Sequence, residues 1–428
     1  MKIKNTIPYT IAIIIVFAFI FYSPSNSHIH VNDSDPIIKK RSSLGLQDSH
    51  DPHVEHSLNP YVRQLLDEYA AFIQTEIITN QAPGAAVAII RDTSIIYLKG
   101  FGLRDVGTKD SIDVHSLFRI GSVSKGFASV LTGILVDENR LLWDDPVIKY
   151  LPDFKLKTEQ QTQGLTLRHL LSHTTGLPYH AFTDRVDVGA NFDTLVYHLR
   201  DLPLFGKPGQ WYSYQNVGFS LIGEVIRSAT GKTYAENLKE KIFTPLHMQD
   251  ASVSFEAITQ NKNVARAHRH YKGWKPMAIS NTYYNVAPAG GINASISDMA
   301  CWLRSITGGS PQLLKPETRD EVFRPEVSAT SRNRNFWRWK PVRSSYYALG
   351  WRVLNFSDDT LVYHGGFVNG YRCEVAINRK DKTAICVMVN SSGPLPDLSI
   401  PKFFEMYSRR QDAIDTWERT DLKSSARK

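Results

Sequence analysis

Patterns typical of β-strands occur at both ends of this chain, and helical patterns lie between them. The strand-like segments are 85–90, 94–100, 348–354, 360–363, 371–378 and 383–390. Helical periodicity dominates the middle of the chain, from 124 to 242. Strands from the two ends can meet in one antiparallel sheet. We therefore predict an α+β fold in which helices flank that sheet and a helical region is inserted between its strands.

The composition of the 428-residue chain changes along its length, which predicts four segments. Residues 1–27 place two lysines before an apolar run shorter than the ~20 residues that cross a bilayer, which is typical of a signal peptide or a membrane anchor. Residues 28–57 are polar and aperiodic and predict a flexible linker. A catalytic domain over 58–411 and a charged tail over 412–428 follow. We expect an exported protein, either periplasmic or anchored to the inner membrane by its first segment.

The charge distribution limits the partners that this chain can bind. Fifty Lys and Arg residues exceed 42 Asp and Glu residues by eight, but five of the positive charges fall in the segment 332–343. The rest of the chain is nearly balanced, so we expect no nucleic-acid partner. The basic segment also contains aromatic residues, and it can be either a rim loop close to anionic lipid head groups or an ordinary solvated loop.

The cysteines and two spaced histidines have simple interpretations. Three cysteines cannot form a disulfide framework or a four-cysteine zinc site. Cys373 and Cys386 lie on opposite arms of the predicted hairpin, and they either pair or remain as thiols. His169 and His173 have i, i+4 spacing without a third ligand nearby, which favours packing over metal binding.

The segment Ser122-Val123-Ser124-Lys125 carries the first chemical signal. It precedes a helical run, so Lys125 lies one turn from Ser122 on the same face. A serine hydroxyl is a poor nucleophile unless a base removes its proton, and a lysine can do so only if its pKa is lowered. Alone, the motif favours a helix N-cap at Ser122 and a solvated lysine.

Two further motifs follow in the chain. Tyr214-Gln215-Asn216 places a phenol and a carboxamide two residues apart, on one side of an extended segment. His364-Gly365-Gly366 ends the predicted strand 360–363, and its glycines permit close approach to backbone amides. Taken singly, the first motif suits rim packing and the second suits a strand-end turn, but together with Ser122 and Lys125 they form an ordered set.

This ordered set resembles the serine β-lactamase and penicillin-binding protein superfamily, and most closely its class C-like branch of β-lactamases, D-amino-acid peptidases, carboxypeptidases and esterases. Two longer stretches, 165–178 and 288–298, are also similar to that branch. The resemblance extends from about Pro83 to about Asn390. It implies a β-lactamase/transpeptidase-like fold.

The resemblance also implies roles for individual residues. Ser122 is the nucleophile that forms an acyl-enzyme, and Tyr214 is the general base, with a charged Lys125 lowering the pKa of the phenol. The backbone N–H groups of Ser122 and Phe367 form the oxyanion hole. Asn216 binds the amide of the acyl side chain. No cofactor and no metal ion is expected for this chemistry.

Two positions depart from the pattern of β-lactamases in this branch. The resemblance places His364, Gly365 and Gly366 in the substrate site. His364 occupies the position at which those β-lactamases carry a lysine. A largely neutral imidazole binds a substrate carboxylate more weakly than an ammonium does. His180 falls near a position where they carry a glutamine, and it is a further candidate substrate contact.

We therefore predict an exported serine hydrolase that acts on amide bonds of D-amino-acid peptides or β-lactams. The expected partner is a small-molecule or peptide substrate. One alternative is an esterase of the same fold, since a site without the lysine suits uncharged substrates. A second is a penicillin-binding sensor that is acylated but does not turn over.

Overall fold

The structure is a computed structural model of the chain, and it describes residues 58–80, 82–309, 313–330, 336, 339 and 342–425. The predicted leader 1–27 and linker 28–57 lie outside the described residues, as does most of the basic segment 332–343. Among the helices that are described, none combines the length and the apolar character needed to cross a bilayer.

The described residues form the following α-helices and strands, each numbered in chain order. The α-helices are α1 Pro60–Thr79, α2 Ser124–Asp137, α3 Glu159–Gly164, α4 Leu167–Leu171, α5 Thr183–Asp187, α6 Phe192–His198, α7 Asn216–Thr230, α8 Tyr234–Leu238, α9 Phe255–Gln260, α10 Ala287–Gly290, α11 Ile296–Arg304, α12 Pro316–Phe323, α13 Pro394–Ser408 and α14 Gln411–Ser425. The strands are β1 Gly84–Arg91, β2 Ser94–Gly102, β3 Phe118–Arg119, β4 His268–His270, β5 Trp274–Pro276, β6 Asn293–Ala294, β7 Val327–Ser328, β8 Val342–Tyr347, β9 Arg352–Phe356, β10 Asp359–Val368, β11 Tyr371–Asn378 and β12 Thr383–Val389.

One antiparallel sheet joins the two ends of the chain, as the sequence predicts. Its eight strands have the order β2-β1-β12-β11-β10-β9-β8-β7. The N-terminal hairpin meets the C-terminal strands where β1 pairs with β12, from Ala85 opposite Val389 to Arg91 opposite Thr383. The predicted α+β fold is confirmed, with the helical region from α2 to α11 inserted between β2 and the C-terminal strands.

The central strands are apolar along their whole length because both faces of the sheet are covered. Successive side chains of a strand point to opposite faces. In β1, Ala86 and Ala88 therefore belong to the core beneath the inserted helices, whereas Val87 and Ile89 belong to the core beneath α1 and α13. Strands buried on both faces lose the apolar–polar alternation of half-exposed strands.

Stacked aromatic rings fix the insertion against the sheet, close to the motif that contains Ser122. The rings of Phe127 in α2 and Trp302 in α11 stack at 3.9 Å between centroids. Trp351, which precedes β9, lies 5.5 Å from Trp302 on the other side. All three side chains are fully buried, so α2 has one position relative to the sheet.

Three boundaries differ from those expected from sequence. The predicted strand 348–354 is a turn followed by β9, because Gly350 takes a left-handed conformation with φ of 76°. The His364-Gly365-Gly366 motif lies inside β10 and does not end it. Residues 412–425 of the predicted charged tail are helical in α14, where Ile414 is fully buried and its carbonyl accepts a hydrogen bond from Asn59.

Candidate active site

The nucleophile candidate Ser122 lies in a tight turn between β3 and α2. A short 3-10 segment, Gly121–Val123, carries it, so α2 begins two residues later than the serine. Gly121 has a positive φ of 51°, and a Cβ at that position would lie 2.8 Å from the backbone nitrogen of Phe367. Only glycine permits both the conformation and the approach of β10.

Lys125 extends from the first turn of α2 into the protein interior and is fully buried. Its Nζ atom donates to Ser122 Oγ at 3.2 Å, to Asn216 Oδ1 at 2.9 Å and to the carbonyl oxygen of Ala289 at 2.8 Å. Three acceptors match the three hydrogens of an ammonium group. The structure thus brings Ser122, Lys125 and Asn216 together as the sequence predicts.

Tyr214 completes the group around Ser122. Its hydroxyl donates to Ser122 Oγ at 2.8 Å, and its ring lies 4.7 Å from Lys125 Nζ. Tyr214 stands two residues before α7, whose first residue is Asn216, so the helix start positions both side chains. The phenol oxygen and the lysine nitrogen are therefore both within hydrogen-bond distance of Ser122 Oγ.

His173, which the sequence suggests is a packing residue, holds the segment that carries Tyr214. Its Nδ1 accepts a hydrogen bond from the backbone of Gln215 at 3.1 Å, and its carbonyl accepts one from Ser213 at 2.8 Å. Its ring centroid lies 4.2 Å from that of Tyr214. Because these bonds bracket Tyr214 on both sides, His173 aims the phenol at Ser122.

Burial acts in opposite directions on the two proton-transfer candidates. It lowers the pKa of Lys125 well below its usual range, and the positive charge of Arg352 adds to that decrease. Burial raises the pKa of Tyr214, while the hydrogen bond with Ser122 and the charge of Arg352 oppose the rise. Burial therefore acts against the charged form of each group, whereas the three acceptors around Lys125 Nζ favour the ammonium. The charged Lys125 that the sequence analysis expects stays a prediction.

The glycines of β10 place its backbone against the turn that carries Ser122. A Cβ on Gly366 would lie 2.0 Å from the carbonyl oxygen of Ile120 and 3.2 Å from the backbone nitrogen of Ser122. With the approach of Phe367 to Gly121, this contact brings the two predicted oxyanion-hole residues side by side. A Cβ on Gly365 would overlap Tyr363 and Glu374, which lie on the opposite side of β10.

His364 lies beneath the site, with 2% of its surface exposed. Its Nε2 is 3.0 Å from the hydroxyl of Tyr347, and its Nδ1 is 2.9 Å from the carbonyl oxygen of Gly365. Burial lowers the pKa of His364 well below its usual range, and Arg352 and Lys125 add to the effect. The imidazole is neutral at physiological pH, so it presents no permanent charge to a substrate.

Arg352 is a functional candidate that the sequence analysis missed. Its guanidinium lies between 5.5 and 5.9 Å from the ring centroids of Tyr212, Tyr214, Phe336 and Tyr347. Its Nη1 atom is buried without a hydrogen-bond partner, and no ion pair joins it to a carboxylate of the described residues. The one available signal was a single charge within the otherwise apolar segment 348–354.

The remaining sequence candidates have varied surroundings. His180 lies at the edge of the site, where its ring centroid is 5.4 Å from that of Tyr214 and its backbone donates to the Tyr214 carbonyl at 2.8 Å. Phe336 and Trp339 of the basic segment are buried against the sheet.

Cys373 and Cys386 are free thiols with sulfur atoms 3.9 Å apart. In the part of the chain that the structure describes, no cluster of three or more acidic, histidine or cysteine side chains could hold a metal.

Comparisons with known proteins agree with this geometry. A family model described as Beta-lactamase matches residues 60–403. A relative named Unguisins hydrolase ungD', from Aspergillus campestris, is 27% identical over 81% of this chain and 63% of its own length. Protein flp from Staphylococcus aureus N315 is 25% identical over 78% of this chain and 64% of its own length. The chain thus spans less than two thirds of the length of either relative.

Among solved structures, the octameric penicillin-binding protein homologue from Pyrococcus abyssi superimposes with a TM-score of 0.69. That alignment has 26% sequence identity and covers 81% of this chain and 77% of the other. The chain is therefore similar to this protein in its fold as well as in its sequence.

The bond between Tyr214 and Ser122 predicts the effect of removing one hydroxyl. Tyr214→Phe is expected to slow acylation by about 10²-fold or more, as is typical for loss of a general base. Tyr197→Phe, at a half-exposed tyrosine, is the matched control and should leave the rate unchanged. The rate is measured as release of a chromophore from an activated ester in a single turnover. A nearly neutral Tyr214→Phe would instead assign proton removal to Lys125.

The charge of Arg352 predicts a shift in pH dependence. Arg352→Met removes a positive charge that lowers the pKa of Lys125, so that pKa rises and less neutral lysine is present at a given pH. The increase of the acylation rate with pH should therefore move to higher pH. Arg352→Lys keeps the charge and should leave the midpoint near that of the wild type. An unmoved midpoint in Arg352→Met would contradict this assignment.

Proposed function

This chain belongs to the β-lactamase family of serine hydrolases, and we propose that it hydrolyses amide bonds through an acyl-enzyme formed on Ser122. One observation carries the proposal, namely that Ser122 Oγ lies 2.8 Å from the hydroxyl of Tyr214 and 3.2 Å from Lys125 Nζ. A hydroxyl placed between two groups that can exchange its proton has the arrangement of an activated nucleophile.

In the proposed reaction, Ser122 Oγ attacks the carbonyl carbon of the substrate. Its proton passes to the Tyr214–Lys125 pair. Before this transfer the pair is either a neutral lysine with a phenol or an ammonium with a phenolate, and these two forms contain the same number of protons. The negative charge on the carbonyl oxygen is stabilised by the N–H groups of Ser122 and Phe367. The C–N bond then breaks, Tyr214 returns the proton to the leaving amine, and water later hydrolyses the ester on Ser122.

The family resemblance and the names of similar proteins suggest the substrate class. D-amino-acid peptides and β-lactams are the substrates expected from the family resemblance. One relative is named as a hydrolase of unguisins, and a similar solved structure is that of a penicillin-binding protein homologue. The second name supports β-lactams as ligands or substrates of this chain. We propose Asn216 as the group that holds the acyl side chain, and Gly365, Gly366 and His180 as further contacts.

A second candidate function is ester hydrolysis, and His364 favours it. The imidazole is 2% exposed and its pKa is lowered, so the site lacks a permanent cation at the position where a lysine would hold a substrate carboxylate. Uncharged substrates do not need a cation at that position.

We also propose that the protein is exported, with segment 1–27 as leader or anchor. This proposal rests on the sequence pattern alone.

Matched substrates separate the two functions. The full chain is given N-acetyl-D-alanyl-D-alanine, the corresponding C-terminal carboxamide, and N-acetyl-D-alanine methyl ester. We expect hydrolysis of both peptides in wild type but not in Ser122→Ala, with the carboxamide cleaved at least as fast as the free acid because His364 is neutral. The products are quantified by chromatography. Cleavage of the ester alone would replace the amide proposal with the esterase, and a strong preference for the free acid would indicate a carboxylate anchor in the site.

A further inference from the structure

A cavity of about 420 Å³ lies beside Tyr214, outside the group of residues around Ser122. Two loops form it, one over 176–179 and the other over 205–213. The aromatic side chains in its wall are Tyr179, Phe205, Trp211 and Tyr212. No acidic, cationic or histidine side chain lines the cavity, so a charged group would enter it without a counter-ion.

One backbone hydrogen bond and one side-chain hydrogen bond join the two loops that form this cavity. Phe205 donates to the carbonyl of Gly176 at 2.9 Å, and Ser213 Oγ donates to the carbonyl of Leu177 at 2.7 Å. Gly176 has a φ of 83°, and a Cβ there would lie 2.4 Å from the carbonyl oxygen of Gly206. The loops are in direct backbone contact, which is characteristic of a preformed binding pocket.

Two large aromatic side chains at the rim are exposed to solvent. Phe205 is 71% exposed and Trp211 is 59% exposed. The indole of Trp211 packs along Gly206, where a Cβ would lie 2.6 Å from Trp211 Cδ1, so its ring is held in place while one side faces outward. Exposed aromatic surface on a fixed scaffold is typical of a binding surface.

The wall of the cavity and the proposed catalytic phenol belong to neighbouring residues of the same segments. Ser213, in its wall, directly precedes Tyr214. On the other loop, the ring of Tyr179 lies 4.2 Å from that of His180, which in turn lies 5.4 Å from that of Tyr214. A group that receives a proton from Tyr214 must lie within about 3 Å of its hydroxyl. A large substituent on that group can therefore extend from Tyr214 towards the cavity.

We propose that this cavity binds an uncharged aromatic or large apolar side chain on the leaving group of the substrate. The inference rests on the proposed acyl transfer through Ser122 and Tyr214, and it names the substrate class for that site. Trp211 and Phe205 are the specificity-determining residues. The aromatic faces favour a ring, and the absence of charged wall residues disfavours a carboxylate or an ammonium at the same position.

Acetyl thioesters test the proposal because they keep the acyl group constant while the leaving thiol changes. The thiols are benzyl mercaptan, ethanethiol and mercaptoacetate, and each rate is divided by the rate of hydroxide-catalysed hydrolysis. We expect kcat/KM to be about tenfold or more higher for the benzyl than for the ethyl thioester, and lowest for mercaptoacetate. The preference should fall strongly in Trp211→Ala and Phe205→Ala and persist in Trp211→Phe.

Tyr271→Ala is the matched control, since this tyrosine is 67% exposed and does not line the cavity. Equal loss of preference in this control, or no loss in Trp211→Ala, would overturn the proposal. The leaving-group assignment would be overturned if Trp211→Ala reduced a preference for phenylacetyl over acetyl in thioesters of ethanethiol.

A binding measurement tests the cavity independently of catalysis. N-benzylacetamide and N-ethylacetamide are titrated into the Ser122→Ala variant, with and without Trp211→Ala, and followed by ligand-observed NMR. The benzyl compound should bind more tightly, and Trp211→Ala should remove the difference. Equal binding of the two amides would overturn the cavity assignment. If the amides bind as expected but no thioester is hydrolysed through Ser122, the proposed function is wrong, whereas the assignment of the cavity as a site for an aromatic group is supported.

Discussion

The hydrogen bonds of Lys125 connect three parts of the chain that are far apart in sequence. Its Nζ atom joins the turn that carries Ser122, the start of the helix that carries Asn216, and the carbonyl of Ala289. A fully buried amine is tolerated only where acceptors surround it. The position of the nucleophile therefore depends on whether the inserted helices fold against the sheet with these acceptors in place, and the stacked rings of Phe127 and Trp302 hold them there.

The electrostatics around this amine act on both proton-transfer candidates. Burial and the nearby Arg352 charge both lower the pKa of Lys125, while the same charge opposes the rise in the pKa of Tyr214. The net shifts have opposite signs, so the phenol holds its proton more tightly than in water and the amine holds its proton less tightly. Arg352 is itself held by aromatic rings and has no described acidic partner, so its charge acts on the proton-transfer pair without neutralisation by a carboxylate.

The sequence carried most of the fold and much of the candidate site, for identifiable reasons. Ser122 and Lys125 were recognisable through the ordered set of motifs that they form with the Tyr214 and His364 segments. The strands of both chain ends were recognisable because a sheet buried on both faces requires long apolar runs. The surroundings of Arg352 were not predictable, since they depend on four rings from distant segments. The aromatic cavity depends in the same way on contacts between loops, which no local pattern encodes.

The central claim is that Ser122 forms a covalent acyl-enzyme, and intact-protein mass spectrometry tests it most directly. The full chain and Ser122→Ala are each exposed to a penicillin and, separately, to a short-chain activated ester, and quenched in acid at short times. The structure predicts a single added acyl group on the wild-type chain, mapped to Ser122, and none on the variant. An adduct of equal yield on Ser122→Ala, or no adduct and no turnover of either reagent by the wild type, would contradict the account.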